Sequence, residues 1–200
     1  MSRLVLATRN AHKLAELRRI LDEAELEVEL VGVDAFDGIG DVAETGTTFA
    51  ENALLKAHAT AQATGLPAVA DDSGLCVDAL AGMPGVFSAR WSGGHGDDRA
   101  NLELVLAQIA DLPDERRSAH FACAAALALP DGSERVVEGI VAGTLLRVPR
   151  GTGGFGYDPI FLPLGETRTT AELSPADKDL ISHRGRALRA LVPQLRALTV

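Results

Sequence analysis

Two runs decide the architecture: Ser118-Ala119-His120-Phe121-Ala122-Cys123-Ala124-Ala125-Ala126-Leu127-Ala128-Leu129 and Glu134-Arg135-Val136-Val137-Glu138-Gly139-Ile140-Val141-Ala142-Gly143-Thr144-Leu145-Leu146. Pro130-Asp131-Gly132-Ser133 joins them, and turn residues between two apolar runs read as a hairpin. The sheet therefore contains antiparallel pairs. Upstream the pattern differs. Leu4 to Ala7 reads as a strand, and Thr8-Arg9-Asn10 leads into a helix striped by Leu14, Leu17, Ile20 and Leu21. Glu27 to Val31 alternates like a second strand, and Gly32 to Gly46 reads as a loop. Thr48-Phe49-Ala50-Glu51 matches a capping box, opening a helix to Gly65 with Phe49, Ala53, Ala57 and Thr60 on one face. Strand–helix alternation predicts parallel pairing, so the expected fold is α/β, a mixed central sheet flanked by helices. Two hundred residues suit one large domain or two small lobes, and no repeat or linker divides them.

A formal charge of −9 lacks the basic footprint of general nucleic-acid binding. An anionic small molecule would instead need a local basic cluster, a divalent cation, or both. The two cysteines, Cys76 and Cys123, form no C-x-x-C pair and read as small buried hydrophobes in a reducing compartment. Met1-Ser2-Arg3-Leu4 enters a strand without a signal-like apolar region, and the longest apolar run, Phe121 to Leu129, is too short to span a bilayer. The expectation is a cytoplasmic protein with no membrane or nucleic-acid partner.

Ala68-Val69-Ala70-Asp71-Asp72-Ser73-Gly74-Leu75 carries the chemistry. Pro67 to Ala70 reads as a buried strand stopped by two carboxylates, with Ser73 and Gly74 turning the chain. Alternation sends Asp71 and Asp72 to opposite faces, one to a cleft and one to tie down neighbouring backbone. An ordinary strand-ending turn has the same composition. Other polar residues break local rules. Lys13 lies in a first helical turn, where a cation faces the positive end of the dipole, and Lys178 does the same behind the Ser174-Pro175 helix start. Thr8 or Asn10 can cap the first helix, whose N-terminus is a natural anion site. Lys56 falls at the edge of its helix's apolar face, and Glu44 sits on a glycine-bearing loop as a weak metal-ligand candidate. Asp97 or Asp98 caps a helix striped by Leu102, Val105, Leu106 and Ile109.

Gly151-Thr152-Gly153-Gly154-Phe155-Gly156 satisfies G-x-G-x-x-G, but Tyr157-Asp158-Pro159 follows where a Rossmann unit needs a helix. It reads as a ligand-closing loop with exposed aromatics, Phe155 and Tyr157. Ser182-His183-Arg184-Gly185 interrupts the chain before a last helix bearing Leu188, Leu191, Leu195 and Leu198, and offers donors for a base or phosphate. Histidine spacing disfavours zinc, and Ser73 has no identifiable histidine partner. Lysines and a helix N-terminus suit a polyphosphate, while the carboxylates suit Mg²⁺ and water activation.

Thr8-Arg9-Asn10-Ala11-His12-Lys13, Thr48-Phe49-Ala50-Glu51-Asn52-Ala53, Ala70-Asp71-Asp72-Ser73-Gly74-Leu75, Gly154-Phe155-Gly156-Tyr157-Asp158-Pro159 and Ser182-His183-Arg184-Gly185 stand in the order found in one family. The chain resembles the inosine triphosphate pyrophosphatases, from Leu4 to the last helix. The resemblance implies an elongated two-lobed fold with a substrate cleft between the lobes, formed by a single domain over residues 1–200 and paired as a homodimer. It implies Mg²⁺-dependent hydrolysis of a purine nucleoside triphosphate (ITP, dITP or XTP) to monophosphate and pyrophosphate. Thr8, Arg9, Asn10, Ala11, His12 and Lys13 would then cradle the triphosphate, with Lys56 nearby. Asp72 would be metal ligand and general base, with Glu44 as second ligand and Ser73 touching substrate. Phe155, Gly156, Tyr157 and Asp158 would hold the base, and Lys178, His183 and Arg184 would complete its pocket. Two departures stand out: Arg9 where many members have glycine, and Ala43 where many carry an acid. Neighbouring readings are a pyrophosphatase of similar fold for other modified nucleotides and a non-catalytic nucleotide sensor.

Overall fold

The structure, a computed structural model, describes residues 2–198. Six strands form one sheet in the order β2-β1-β3-β4-β5-β6. The first strand, β1 (Ser2–Leu6), lies parallel to both β2 (Val28–Gly32) and β3 (Ala68–Val77). The hairpin strands β4 (Ser118–Ala128) and β5 (Glu134–Leu145) are neighbours. Leu129 N–H donates to Ser133 O (2.9 Å) across their connection, and a link this short joins only antiparallel strands. Next, β5 runs antiparallel to β6 (Phe161–Pro163). The sheet is mixed, as the two upstream and downstream patterns predict.

One expectation fails. Asp71 and Asp72 do not end a strand; β3 runs on through Ser73 and Gly74 to Val77. The β1 pairing ends at Val69, and the place of β3 beside β4 in the sheet overrides the local preference of Asp, Ser and Gly for turns. Gly74 serves close packing instead of turning. A Cβ there would lie 2.4 Å from both Gly85 O and Ser88 Oγ.

By chain contacts the molecule divides into two compact units. The first comprises Met1–Asp72, Cys123–Gly139 and Arg184–Val200. Within it, strand alternation sorts side chains into two cores. Leu4, Leu6, Val69, Cys123, Ala125 and Leu127 pack with helices α1 (Ala11–Glu23) and α5 (His183–Arg196), through Leu17, Ile20, Leu188 and Leu191. Val5, Ala68, Ala70, Ala124, Ala126 and Ala128 face the other way, against Ala53, Ala57 and Ala61 of α2 (Phe49–Thr64). Alanine against alanine lets that helix approach the strands closely, which fixes the residues at its N-terminal end. The capping box is present in full: Thr48 Oγ1 accepts from Glu51 N–H (3.1 Å), and Glu51 Oε2 accepts from Thr48 N–H (3.2 Å).

The second unit comprises Ser73–Ala122 and Ile140–His183. Its core gathers Leu75, Val77, Phe121, Val141, Leu145, Ile160 and Phe161 around Leu102 and Val105 of α3 (Asp98–Gln108) and its C-cap Ile109. Arg117 is buried there and donates to Leu145 O (2.9 Å), Ile109 O (2.7 Å) and Leu146 O (3.0 Å). It adds charged donors to carbonyls at the ends of β5 and α3, where Ile109 O also accepts from Leu112 N–H (3.1 Å). Ser182 ends the seven-residue α4 (Pro175–Ile181), and His183 already begins α5. The Ser182–Gly185 stretch is thus a helix junction and first turn, not an interruption. Cys76 and Cys123 are buried free thiols, and burial pushes both up in pKa.

Candidate functional site

In the first unit, two adjacent carboxylates on β3 hold separate partners. Asp71 Oδ2 accepts from Lys13 Nζ (2.8 Å) and from Arg184 Nε (3.0 Å), and Arg184 also reaches Glu16 Oε2 (3.2 Å). Asp71, Glu16 and Arg184 are all buried. Burial opposes ionisation of Asp71, but the Lys13 and Arg184 charges outweigh it and hold the carboxyl well below its usual range. Arg184 is likewise held charged by Asp71 and Glu16 against its own burial. The rule-breaking Lys13 is therefore explained, since a buried acid from β3 outweighs the modest penalty of the helix dipole.

Asp72 has the opposite surroundings. Oδ1 accepts from Lys56 Nζ (3.1 Å), and Oδ2 from Asn52 Nδ2 (3.1 Å). Lys56 Nζ also donates to Glu44 Oε1 (2.8 Å), so one ammonium bridges two carboxylates. Burial pushes the Asp72 carboxyl up, Lys56 pulls it down and Glu44 pushes it up again, leaving it above the ordinary value. Lys56 is raised, because its carboxylate neighbours overcome its desolvation. Alternation of β3 thus separates a strongly ionised anchor from a carboxyl held above its ordinary value.

A second cluster lies wholly in the second unit. Asp158 is buried, and its Oδ2 accepts from Phe155 N–H (2.8 Å) and Lys178 Nζ (2.5 Å). The same ammonium sits 5.0 Å from the centroid of the Phe155 ring, which is 39% exposed. His183 stacks on Phe121 at 4.7 Å, with ring planes 10° apart. Phe121, Asp158, Phe161, Lys178 and His183 line one small cavity. Phe155 lies between Gly154 and Gly156, both at positive φ (72° and 59°). Gly154 has no room for a side chain, since a Cβ there would meet Asp158 Oδ2 at 2.0 Å.

A family model described as "Ham1 family" matches residues 4–194. The chain belongs to the Ham1 family. A relative from Streptomyces coelicolor, named dITP/XTP pyrophosphatase, is 71% identical over 198 residues, covering 99% of each chain. A solved HAM1 protein from Coxiella burnetii is 44% identical with a TM-score of 0.89 over 98% of each chain. The crystal structure of a nucleoside-triphosphatase / dITP/XTP pyrophosphatase from Mycobacterium abscessus is 57% identical, with a TM-score of 0.78, covering 96% of this chain and 99% of its own.

In this Ham1-family chain the predicted site residues fall unevenly. Lys13, Lys56, Asp72 and Glu44 do assemble with charged partners, as do Lys178 and Asp158. Arg9 pairs with Asp41 and donates to Ile39 O (2.5 Å), which ties its guanidinium to the loop before α2. Asn10 is the cap of α1, and it occupies the His12 and Lys13 amides; Thr8 Oγ1 accepts from Asn10 N–H (3.1 Å). Three expectations are corrected. Tyr157 is not an exposed aromatic: at the start of the Asp158–Ile160 turn its ring packs into the core with Ile160 and Phe161, and its hydroxyl donates to Ser88 O (2.8 Å). Asp71 anchors side chains, not neighbouring backbone. Lys178 lies in the last turn of α4, where the dipole favours a cation.

Sequence reasoning passed over Asn52 and Glu16. Asn52 is fully buried and links Asp72 to the preceding loop, accepting from Gly46 N–H (2.8 Å) through Oδ1. A polar amide inside an otherwise alanine-rich helical face was the available signal. Glu16 lies one residue from the Leu17 stripe and carried none. Among the described residues, no three His, Cys, Asp or Glu side chains gather as a metal site, and no helix is long and apolar enough to cross a membrane.

Proposed function

We propose that this chain hydrolyses aberrant purine nucleoside triphosphates, ITP, dITP and XTP, to the monophosphate and pyrophosphate. Its relatives' names supply the substrate class, and the Asp72–Lys56–Glu44 bridge is the observation that carries the chemistry. The residues fit Mg²⁺ on their donor chemistry. A hard cation of this kind needs only one or two protein carboxylates, with water and phosphate oxygens for the rest, so Asp72 with Glu44 would hold it. When bound, the ion neutralises phosphate charge and polarises the P–O bond.

The chain's own residues do the remainder. Lys56, and Lys13 on the α1 turn with Thr8, Arg9, Asn10, Ala11 and His12, compensate triphosphate charge and hold it in line. Asp72, its carboxyl raised by burial, takes a proton from the attacking water. The oxygen bonds to the α-phosphorus as the bond to the β-phosphate oxygen breaks, and pyrophosphate leaves. Ser73 touches the substrate beside Asp72. Asn52 orients Asp72, and Asp71 with Arg184 fixes Lys13, so Arg184 acts as a positioning residue. Phe155 stacks on the base, Gly156 allows its approach, and Lys178 and His183 line the pocket. Asp158 and Tyr157 hold that loop from beneath. A 6-oxo purine accepts a hydrogen bond where adenine offers only a donor, and an ammonium such as Lys178 can only donate. The same reading makes the enzyme a single-domain cytoplasmic homodimer.

The test measures pyrophosphate and orthophosphate separately from ITP, dITP, XTP, GTP and ATP, with and without Mg²⁺, on wild type and Asp72→Asn. Mg²⁺-dependent pyrophosphate from the inosine and xanthine nucleotides, lost in the variant, is the expected result. Orthophosphate release, or equal turnover of ATP, refutes the proposal.

A further inference from the structure

We infer that Asp98 is a positioning residue for the Phe155 loop, an inference that rests on the reading of Phe155 as the base-stacking ring. Gly156 N–H donates to Asp98 Oδ2 at 2.8 Å, across 58 positions of sequence. The neighbouring Phe155 N–H donates to Asp158 Oδ2 at 2.8 Å. Two consecutive amides on either side of the Phe155 side chain are therefore each held by a carboxylate from a different element. The flanking glycines adopt φ of 72° and 59°, backbone that glycine enters and leaves at little cost. Without outside restraint such a segment samples many states, and the ring it carries would have to be ordered at each binding event.

Helix α3 has no need of Asp98 as a cap. Asp97 is the N-cap and accepts from Ala100 N–H at 2.9 Å, which leaves the Asp98 carboxylate to reach the loop. The body of α3 is fixed in turn by the burial of Leu102 and Val105, with Ile109 at its C-cap. Asp98 thereby transfers the rigidity of a packed helix to the loop, and the Tyr157 hydroxyl bond to Ser88 O holds the loop's other side. The negative charge of Asp98 joins burial in keeping the Tyr157 phenol protonated. Asp98 touches backbone only, so its effect falls on how well the ring is ordered for the base and not on the bond-breaking step.

The experiment compares wild type, Asp98→Ala and Asp98→Asn, the last keeping an oxygen that can accept from Gly156. Two readouts are taken: steady-state kinetics on ITP, and hydrogen exchange of the Gly156 and Phe155 amides. The expected result for Asp98→Ala is a five- to tenfold rise in KM with kcat within twofold, and at least tenfold faster exchange at Gly156, with an unchanged melting temperature. Asp98→Asn should recover most of both. Unchanged exchange in Asp98→Ala overturns the inference, as does a fall in kcat with KM unmoved, or equal damage from Asn and Ala. If wild type fails to turn over ITP, the functional reading falls while exchange at Gly156 still decides whether Asp98 holds the loop. Faster exchange with unaltered KM refutes the positioning role.

Discussion

Asp71→Asn and Asp72→Asn should part company, although the two residues are adjacent and the change is the same. Asn at 71 leaves the Lys13 ammonium and the buried Arg184 guanidinium facing a neutral amide, with Glu16 as the remaining acid recorded at Arg184. Removing one partner of a buried ion pair costs about 3–5 kcal/mol, mostly for the charge left behind. Lys13 is part-exposed and can turn toward water, so the lower end, about 3 kcal/mol, is expected here. With an m-value at the upper end of the usual ~1–3 kcal/mol/M for urea, the unfolding midpoint falls by about 1–1.5 M.

Asn at 72 meets different company. Lys56 keeps Glu44 at 2.8 Å, and the carboxylate lost is one that burial already disfavoured. Stability should stay within about 1 kcal/mol of wild type in either direction. The assay is urea unfolding followed by the single tryptophan, Trp91, with circular dichroism as a second probe, beside pyrophosphate release. Asp71→Asn should lose stability heavily, whereas Asp72→Asn should lose turnover at intact stability. An Asp71→Asn protein as stable as wild type, or an Asp72→Asn protein destabilised by more than 2 kcal/mol, would refute the division of labour argued from β3.

Other substitutions test other parts. Gly74→Ala forces a methyl against Gly85 O and Ser88 Oγ, and overpacking of this kind should cost about 1–3 kcal/mol by denaturant titration. Arg117→Met removes the donor to Leu145 O and Leu146 O, while Ile109 O keeps Leu112 N–H, and should lower stability by about 2–4 kcal/mol in the same titration without a specific effect on KM. Thr48→Ala removes the N-cap of α2 and should cost about 1 kcal/mol. The partner in that box, Glu51, is held below the ordinary carboxyl range chiefly by the Thr47 amide, so its contribution is complete above the unfolded value near 4.5 and is lost as pH falls through the lower folded value. Glu51→Gln should flatten that acid limb in melting temperatures measured from pH 6 to pH 3.

The fold was legible wherever one periodicity ruled a segment. The α1 stripe, the α2 capping box and the β4–β5 hairpin are local patterns, and each was read from residues close in sequence. Legibility failed where a distant partner overrode a local preference. Asp71 to Gly74 has turn composition, but its place in the sheet beside β4 makes it strand. Tyr157 follows a glycine-rich loop and reads as exposed, until Ser88, 69 residues away, is found accepting from its hydroxyl. Asp98 passed as a mere cap candidate, since nothing local announces a bond to Gly156.

The same contrast explains why rule-breaking lysines were useful signals and why they did not identify partners. A lysine at the wrong end of a helix or at the edge of its apolar face needs a compensating acid, but the acid can come from any element. For Lys13 it is Asp71, from the third strand of the chain; for Lys56 it is Asp72 together with Glu44. Adjacent residues on one strand thus serve lysines on different helices, because alternation turns their side chains to opposite faces. On one face, full burial and two cations make a carboxylate that never protonates under ordinary conditions, a fixed charge that holds Lys13 in place. On the other, burial with a second carboxylate nearby raises the carboxyl above its ordinary value, although Lys56 draws it back down. A strand carrying two adjacent acids therefore gives lysines on two different helices their partners, and shifting its register by one residue would turn both carboxylates away from them.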